Sequence, residues 1–226
     1  MHNNEFLNLV SSPLMNLDHT YRYSGTKLVE KETLSQHIVD CIMMGLKIVD
    51  HINYIAGEKE LAPAAYVMKA VYHDLEEVIT GDIPRPLKYF NEDTLKSMKD
   101  VADQVADGFF KKEFIFANEH YNWWKDAKDD KEGFILKIVD NLVVVNKVIK
   151  EVSLLNNCYM LRVAHEVSQY TRALVSEFDE HTPFSNKEVN EYLVRILSGA
   201  ISSMDDILQE HHEVMEGLNI YGQSMI

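Results

Sequence analysis

Tyr72-His73-Asp74-Leu75-Glu76-Glu77-Val78-Ile79-Thr80-Gly81-Asp82-Ile83-Pro84-Arg85-Pro86-Leu87-Lys88-Tyr89-Phe90 is the stretch on which the fold and the chemistry of this chain turn. Up to Thr80 its apolar residues recur at helical spacing. Leu75 and Val78 extend a stripe begun by Val67, Ala70 and Val71, and Asp74 falls on that same stripe. Two more ionisable residues lie in apolar helical stretches: His37, in Ser35-Gln36-His37, and Asp140, in Ile138-Val139-Asp140-Asn141. An unpaired ionisable group in such a setting costs roughly several kcal/mol, so each needs compensation. Neutral imidazoles from His37 and His73 with carboxylates from Asp74 and Asp140 carry a combined charge of about −2, which one divalent cation cancels.

That ligand set favours a single divalent transition metal ion, Co, Mn, Ni, Fe or Zn, over calcium, which prefers oxygen-rich cages. Four protein ligands leave about two positions of an octahedral ion open, enough for a water and one phosphate oxygen. Taken singly, the same residues have plainer readings. His37 is then a core histidine, His73 a capping or buried imidazole, and Asp140 a partner for Lys137 or Lys147. Glu77 follows His73 and Asp74 at the spacing that shares a helical face, so its carboxylate is expected beside the metal pair. There it would orient and deprotonate a metal-bound water; otherwise it forms a surface salt bridge.

Only nine glycines and five prolines punctuate 226 residues, and strand-like alternation is scarce, which predicts an all-α fold. A short helix near residues 3–10 leads into an irregular segment from Asp18 to Gly25. A second helix is expected from Leu34 to Ala56, capped by Thr33 and stopped by Gly57. A third runs from Ala62 to Thr80, ends at Gly81 and gives way to a turn held by Pro84 and Pro86. Further helices are expected over about 91–116, 131–155, 158–180 and 186–216, with the charged stretch from Lys125 to Lys131 as an exposed connection. Trp123-Trp124 and Phe109-Phe110 read as core aromatics.

A hydrophobic content of 46% supplies one sizeable core, and a single domain over residues 1–226 is expected. Lys and Arg number 22 against 36 Asp and Glu, and the net charge of −14 opposes broad contact with a nucleic acid polymer or an anionic membrane. A small phosphorylated substrate beside a metal remains compatible with it. Cys41 and Cys158 have no C-x-x-C partner and read as reduced core thiols, which fits a cytoplasmic protein. No secretion signal and no stretch of membrane-spanning length is apparent.

The order His37, His73-Asp74, Asp140 on separate helices resembles the HD-domain phosphohydrolases. More narrowly, His73 to Phe90 resembles the HD-x-x-E-x-x-x-GD-x-P-x-P-x-KYF stretch of the YfbR-like 5'-deoxynucleotidases, and the resemblance covers roughly residues 10–150. It implies an HD-domain helical bundle and metal-dependent hydrolysis of nucleoside 5'-monophosphates, 2'-deoxy forms foremost, to nucleoside and phosphate; it is also compatible with a homodimer. It further implies Asp82 as a second catalytic carboxylate. Arg22-Tyr23 aligns with an Arg-Trp pair that lines the family's nucleotide pocket, the arginine gripping phosphate oxygens. Tyr23 brings a smaller ring than the family's tryptophan, which bears on discrimination against a ribose 2'-hydroxyl. Gln36 stands where a glutamate is common, removing one charge expected near the metal. Lys88 either reaches the substrate phosphate or snorkels from the surface. The alternatives are an HD-type deoxynucleoside triphosphohydrolase, which calls for more basic residues around the phosphates, and a non-catalytic nucleotide-binding sensor.

Overall fold

The computed structural model describes residues 5–84, 87, 90–154 and 157–217, and within these the regular elements are helical. In chain order they are α1 (Glu5–Val10), a single 3-10 turn (Pro13–Asn16), α2 (Leu34–Ala56), α3 (Pro63–Tyr72), α4 (Glu77–Thr80), α5 (Glu92–Glu113), α6 (Ala117–Lys125), α7 (Lys131–Ser153), α8 (Asn157–Glu180), α9 (Lys187–Glu210) and α10 (His212–Gly217). An isolated antiparallel bridge joins Tyr21 to Thr33. None of these helices is long and apolar enough to cross a membrane.

The expected start and stop of α2 hold. The Thr33 hydroxyl accepts the Gln36 amide, the Gln36 side chain accepts the Thr33 amide, and Gly57 closes the helix at φ 71° in the left-handed region. This capping box turns the Gln36 amide toward the helix end. His37, Cys41, Gly45, Ile48 and Ile52 follow along that face.

α7 is buried on almost every side from Gly133 to Glu151, as befits a helix whose apolar residues are not confined to one stripe. It packs against α2, α3 and α8, while α9 covers α8 and reaches α2. Ile48, Val49, Tyr66, Leu136, Val139, Leu161 and Leu193 belong to this main core. A smaller cluster of Tyr72, Leu75, Ala106, Phe109 and Phe110 joins α5 to the end of α3.

The helix expected from Ala62 to Thr80 is broken. α3 ends at Tyr72, and a turn over 73–76 precedes the short α4. The cause is local competition for a carbonyl. In a continuing helix Ala70 would accept the Asp74 amide, but it takes the His73 Nδ1–H at 2.8 Å instead, and Leu75 and Glu77 bond back by three residues to Tyr72 and Asp74. The apolar stripe continues through this turn, which is why periodicity alone reads it as unbroken helix. The expected 91–116 helix likewise ends at Glu113 and is followed by α6, and the expected 186–216 helix is interrupted at His211.

Candidate metal centre

α2, the turn after α3, and α7 converge on one buried cluster. His37 and His73 have fully buried side chains, and Asp74 and Asp140 keep only a small exposed fraction. His37 Nε2 lies 3.3 Å from Asp140 Oδ1 and 3.7 Å from Asp74 Oδ2, while His73 Nε2 lies 3.2 Å from Asp74 Oδ2. The sequence separates His37 from Asp140 by 103 positions; packing of α2 and α3 on α7 brings them together.

The donors fit a bound ion. His73 gives its Nδ1 proton to the Ala70 carbonyl, which in the neutral ring leaves Nε2 as a lone-pair donor, and that atom is buried facing Asp74 Oδ2. Ligand atoms of His37, Cys41, His73 and Asp140 all lie within 4.8 Å of one another. Burial lowers the His37 pKa and the Arg22 charge lowers it further, keeping the ring neutral. Burial opposes the charge on His73 too, but the adjacent Asp74 overrides it and lifts the His73 pKa. Burial disfavours ionised Asp74 as well, yet His73 holds it well below the usual carboxylate range. Cys41, one turn beyond His37 with Sγ 3.5 Å from Nε2, is buried as expected of a core cysteine, and burial pushes its pKa up so that it stays a thiol. The side chain of Cys158 lies outside the described residues.

Glu77 does come beside Asp74, by way of Arg22. Arg22 Nη1 is 3.0 Å from Asp74 Oδ2 and 3.6 Å from Glu77 Oε2, and its Nε is 3.6 Å from Glu32 Oε1. Burial raises the Glu77 pKa, the Asp74 charge adds to the rise, and Arg22 opposes it; the net position is well above the ordinary carboxylate value. Tyr23 adopts φ 58°, a region that residues with a Cβ avoid, and its amide donates to Asp82 Oδ2 at 2.6 Å. Asp82 thereby holds the Arg22-Tyr23 turn. Lys88 and Arg85 lie outside the described residues.

Three contributors escaped the sequence reading. Glu32, nearly buried, faces His37 Nδ1 with Oε1 at 3.8 Å, beyond hydrogen-bond distance, so that its charge and not a hydrogen bond acts on the ring; its signal in the sequence is its place just ahead of the α2 cap. Lys128, in the stretch expected to be a mere exposed connection, sets Nζ 2.8 Å from Asp140 Oδ2. Lys137 and Lys147, the partners suggested for Asp140, pair instead with Glu177 and Glu151. Trp124 is only partly buried and donates Nε1–H to Glu76 Oε2.

A cavity of about 910 Å³ opens from the cluster, lined by His73, Asp74 and Glu77 at one end, by Ile83, Met98 and Trp124 along its walls, and by Lys128 where α7 begins. It joins a charged floor to apolar and aromatic walls, the combination that suits a phosphate ester carrying a ring system.

Comparison with known proteins bears directly on this site. The family model for 5'-deoxynucleotidase YfbR-like proteins matches residues 10–192. The 5'-deoxynucleotidase YfbR of an Escherichia coli strain is 31% identical over 148 residues, which cover 62% of this chain and 71% of that protein. The 5'-deoxynucleotidase of Cronobacter sakazakii is 29% identical over 150 residues, again 62% of this chain and 71% of the other. In three dimensions, a crystal structure of an HD-domain phosphohydrolase from Listeria innocua aligns with a TM-score of 0.59 at 21% identity, covering 84% of this chain and 95% of that one, a likeness of fold.

Proposed function

The chain belongs to the YfbR-like 5'-deoxynucleotidase family and is a phosphohydrolase, and from that premise we propose that it removes phosphate from 2'-deoxynucleoside 5'-monophosphates to leave the nucleoside. The observation that carries this reading is the buried cluster of His37, His73, Asp74 and Asp140, with the His73 Nδ1 proton given to the Ala70 carbonyl, and with His73 and Asp74 opening onto a cavity that has an aromatic wall.

His37, His73, Asp74 and Asp140 would hold one divalent transition ion, Co, Mn, Ni, Fe or Zn, which when bound acidifies water and polarises a phosphoryl oxygen. Glu77 takes a proton from the attacking water as its oxygen bonds to phosphorus. The bond from phosphorus to the sugar O5' breaks, and the proton returns to the leaving alkoxide. Arg22, shared between Asp74 and Glu77, offsets negative charge that would otherwise repel a phosphate dianion. Asp82 contributes by fixing the turn that presents Arg22 and Tyr23.

The test is release of phosphate and nucleoside from ribo- and deoxyribonucleoside mono- and triphosphates, with metal-stripped protein reloaded with each candidate ion. Hydrolysis of deoxynucleoside monophosphates supports the proposal. Release of triphosphate from dATP would replace it with a triphosphohydrolase, and stoichiometric binding without turnover would replace it with a nucleotide sensor.

A further inference from the structure

We infer that Lys128 binds the substrate phosphate, an inference that rests on the phosphate-ester reading of the cavity. Lys128 lies on the turn between α6 and α7, and the turn is fixed. Gly133 in the first turn of α7 approaches it so closely that a Cβ there would fall 2.6 Å from the Lys128 carbonyl carbon, and the Asp130 side chain caps the Gly133 amide at 2.9 Å. The lysine therefore starts from a backbone seated against the helix that carries Asp140. Its side chain is 41% exposed and lines the cavity, so the ammonium reaches both the buried cluster and the space before it.

Among the described residues the cations that line the cavity are Lys99, Lys125 and Lys128, and Lys128 is the one paired with an acid of the cluster. Glu32, Asp74, Glu77 and Asp140 surround it, and Arg22 answers the first three. Asp140 has Lys128, at 2.8 Å. Lys125, also on the cavity wall, is engaged away from the cluster with the Tyr121 hydroxyl at 3.3 Å and Asp103 at 3.8 Å. When Asp140 serves as a metal ligand its negative charge is shared with the ion, and the Lys128 ammonium, a compact charge with rotatable donors on a flexible stem, is released toward a phosphoryl oxygen. The same side chain thus counterbalances Asp140 before the ion arrives and the phosphate afterwards.

The experiment titrates Mn-loaded wild type, Lys128→Met, Lys128→Gln and Lys128→Arg with inorganic phosphate by calorimetry, after a separate titration of each metal-stripped protein with Mn. Phosphate is expected to bind Lys128→Met and Lys128→Gln about tenfold or more weakly, the scale of one charge-assisted hydrogen bond, and Lys128→Arg within about threefold of wild type. Manganese is expected to bind the two neutral variants as tightly as wild type or more tightly, because a competing cation is gone. With deoxynucleoside monophosphates, the neutral variants should raise KM more than they lower kcat. Wild-type phosphate affinity in folded Lys128→Met or Lys128→Gln, or no phosphate binding to the wild type, overturns the assignment. Weakened phosphate binding in a protein that hydrolyses no nucleotide would keep Lys128 and remove the nucleotidase reading instead.

Discussion

Gly45 on α2 and Tyr66 on α3 meet with no room for a methyl group between them: a Cβ at position 45 would overlap the Tyr66 ring and hydroxyl. The same hydroxyl donates to the Cys41 carbonyl at 2.8 Å, so one contact sets both the separation and the register of the helix that carries His37 and the helix that leads into His73. Gly45→Ala should destabilise the protein by about 1–3 kcal/mol, the usual cost of overpacking. For a chain of this size that lowers Tm by roughly 2–10 °C. Thermal unfolding of the metal-free protein measures it, and an unchanged Tm would mean that the two helices part without cost.

Glu77 can accept a proton only when ionised. Its pKa is raised, so activity should fall as pH drops through a value above the ordinary carboxylate range. Arg22 opposes that rise, and Arg22→Met should therefore move the acid limb of kcat/KM to higher pH. Glu77→Gln should keep its metal and lose about 10²–10⁴ in kcat. An acid limb unmoved by loss of Arg22 would assign the titration to another group.

Asp82 has a visible partner in the Tyr23 amide. If it works by holding that turn, Asp82→Ala should raise KM about tenfold, the scale of a hydrogen bond to a charged acceptor, with a smaller change in kcat. A loss of several orders of magnitude in kcat at constant KM would make Asp82 a direct participant in the chemistry.

Glu32 faces the far nitrogen of His37 and has no place in the cavity lining. Glu32→Gln should weaken metal binding by about tenfold, the low end of what loss of a carboxylate behind a ligand histidine costs, because at 3.8 Å it acts through its charge, while the protein remains folded. Competition with a chromophoric chelator gives the constant directly; equal affinity in the variant would leave His37 oriented by packing alone.

What the sequence made legible was whatever depends on neighbours along the chain. Thr33 and Gly57 delimit α2 as their residue types require, and Glu77 lands near Asp74 because both lie within one turn of backbone. The break at His73 was hidden because the imidazole's claim on the Ala70 carbonyl leaves the apolar spacing of Val71, Leu75 and Val78 undisturbed. Glu32 and Lys128 were hidden for a different reason. Each sits outside a helix, where no periodicity reports a direction, and each meets its partner only through tertiary packing: Glu32 across the start of α2, Lys128 through the close approach to Gly133. Trp124 is polar at one end and apolar at the other, and its placement on a cavity wall follows from how α6 packs against α5 and α3.

Asp140 and Glu151 stand about three turns apart on α7, close to the same side of it. Glu151 is fully buried, accepts the amides of Val29 at 2.8 Å and Glu30 at 2.9 Å, and pairs with Lys147 at 3.0 Å, so the segment that begins with Arg22 is fastened to the helix that supplies Asp140. The helix is in effect a ruler with two marks. Inserting or deleting one residue between them would turn one mark about 100° relative to the other, separating the anchor of the loop from the cluster it serves. Substitutions along the interval can be absorbed by repacking, but its length cannot drift, and relatives that share this site and this anchor are expected to preserve that spacing without gaps.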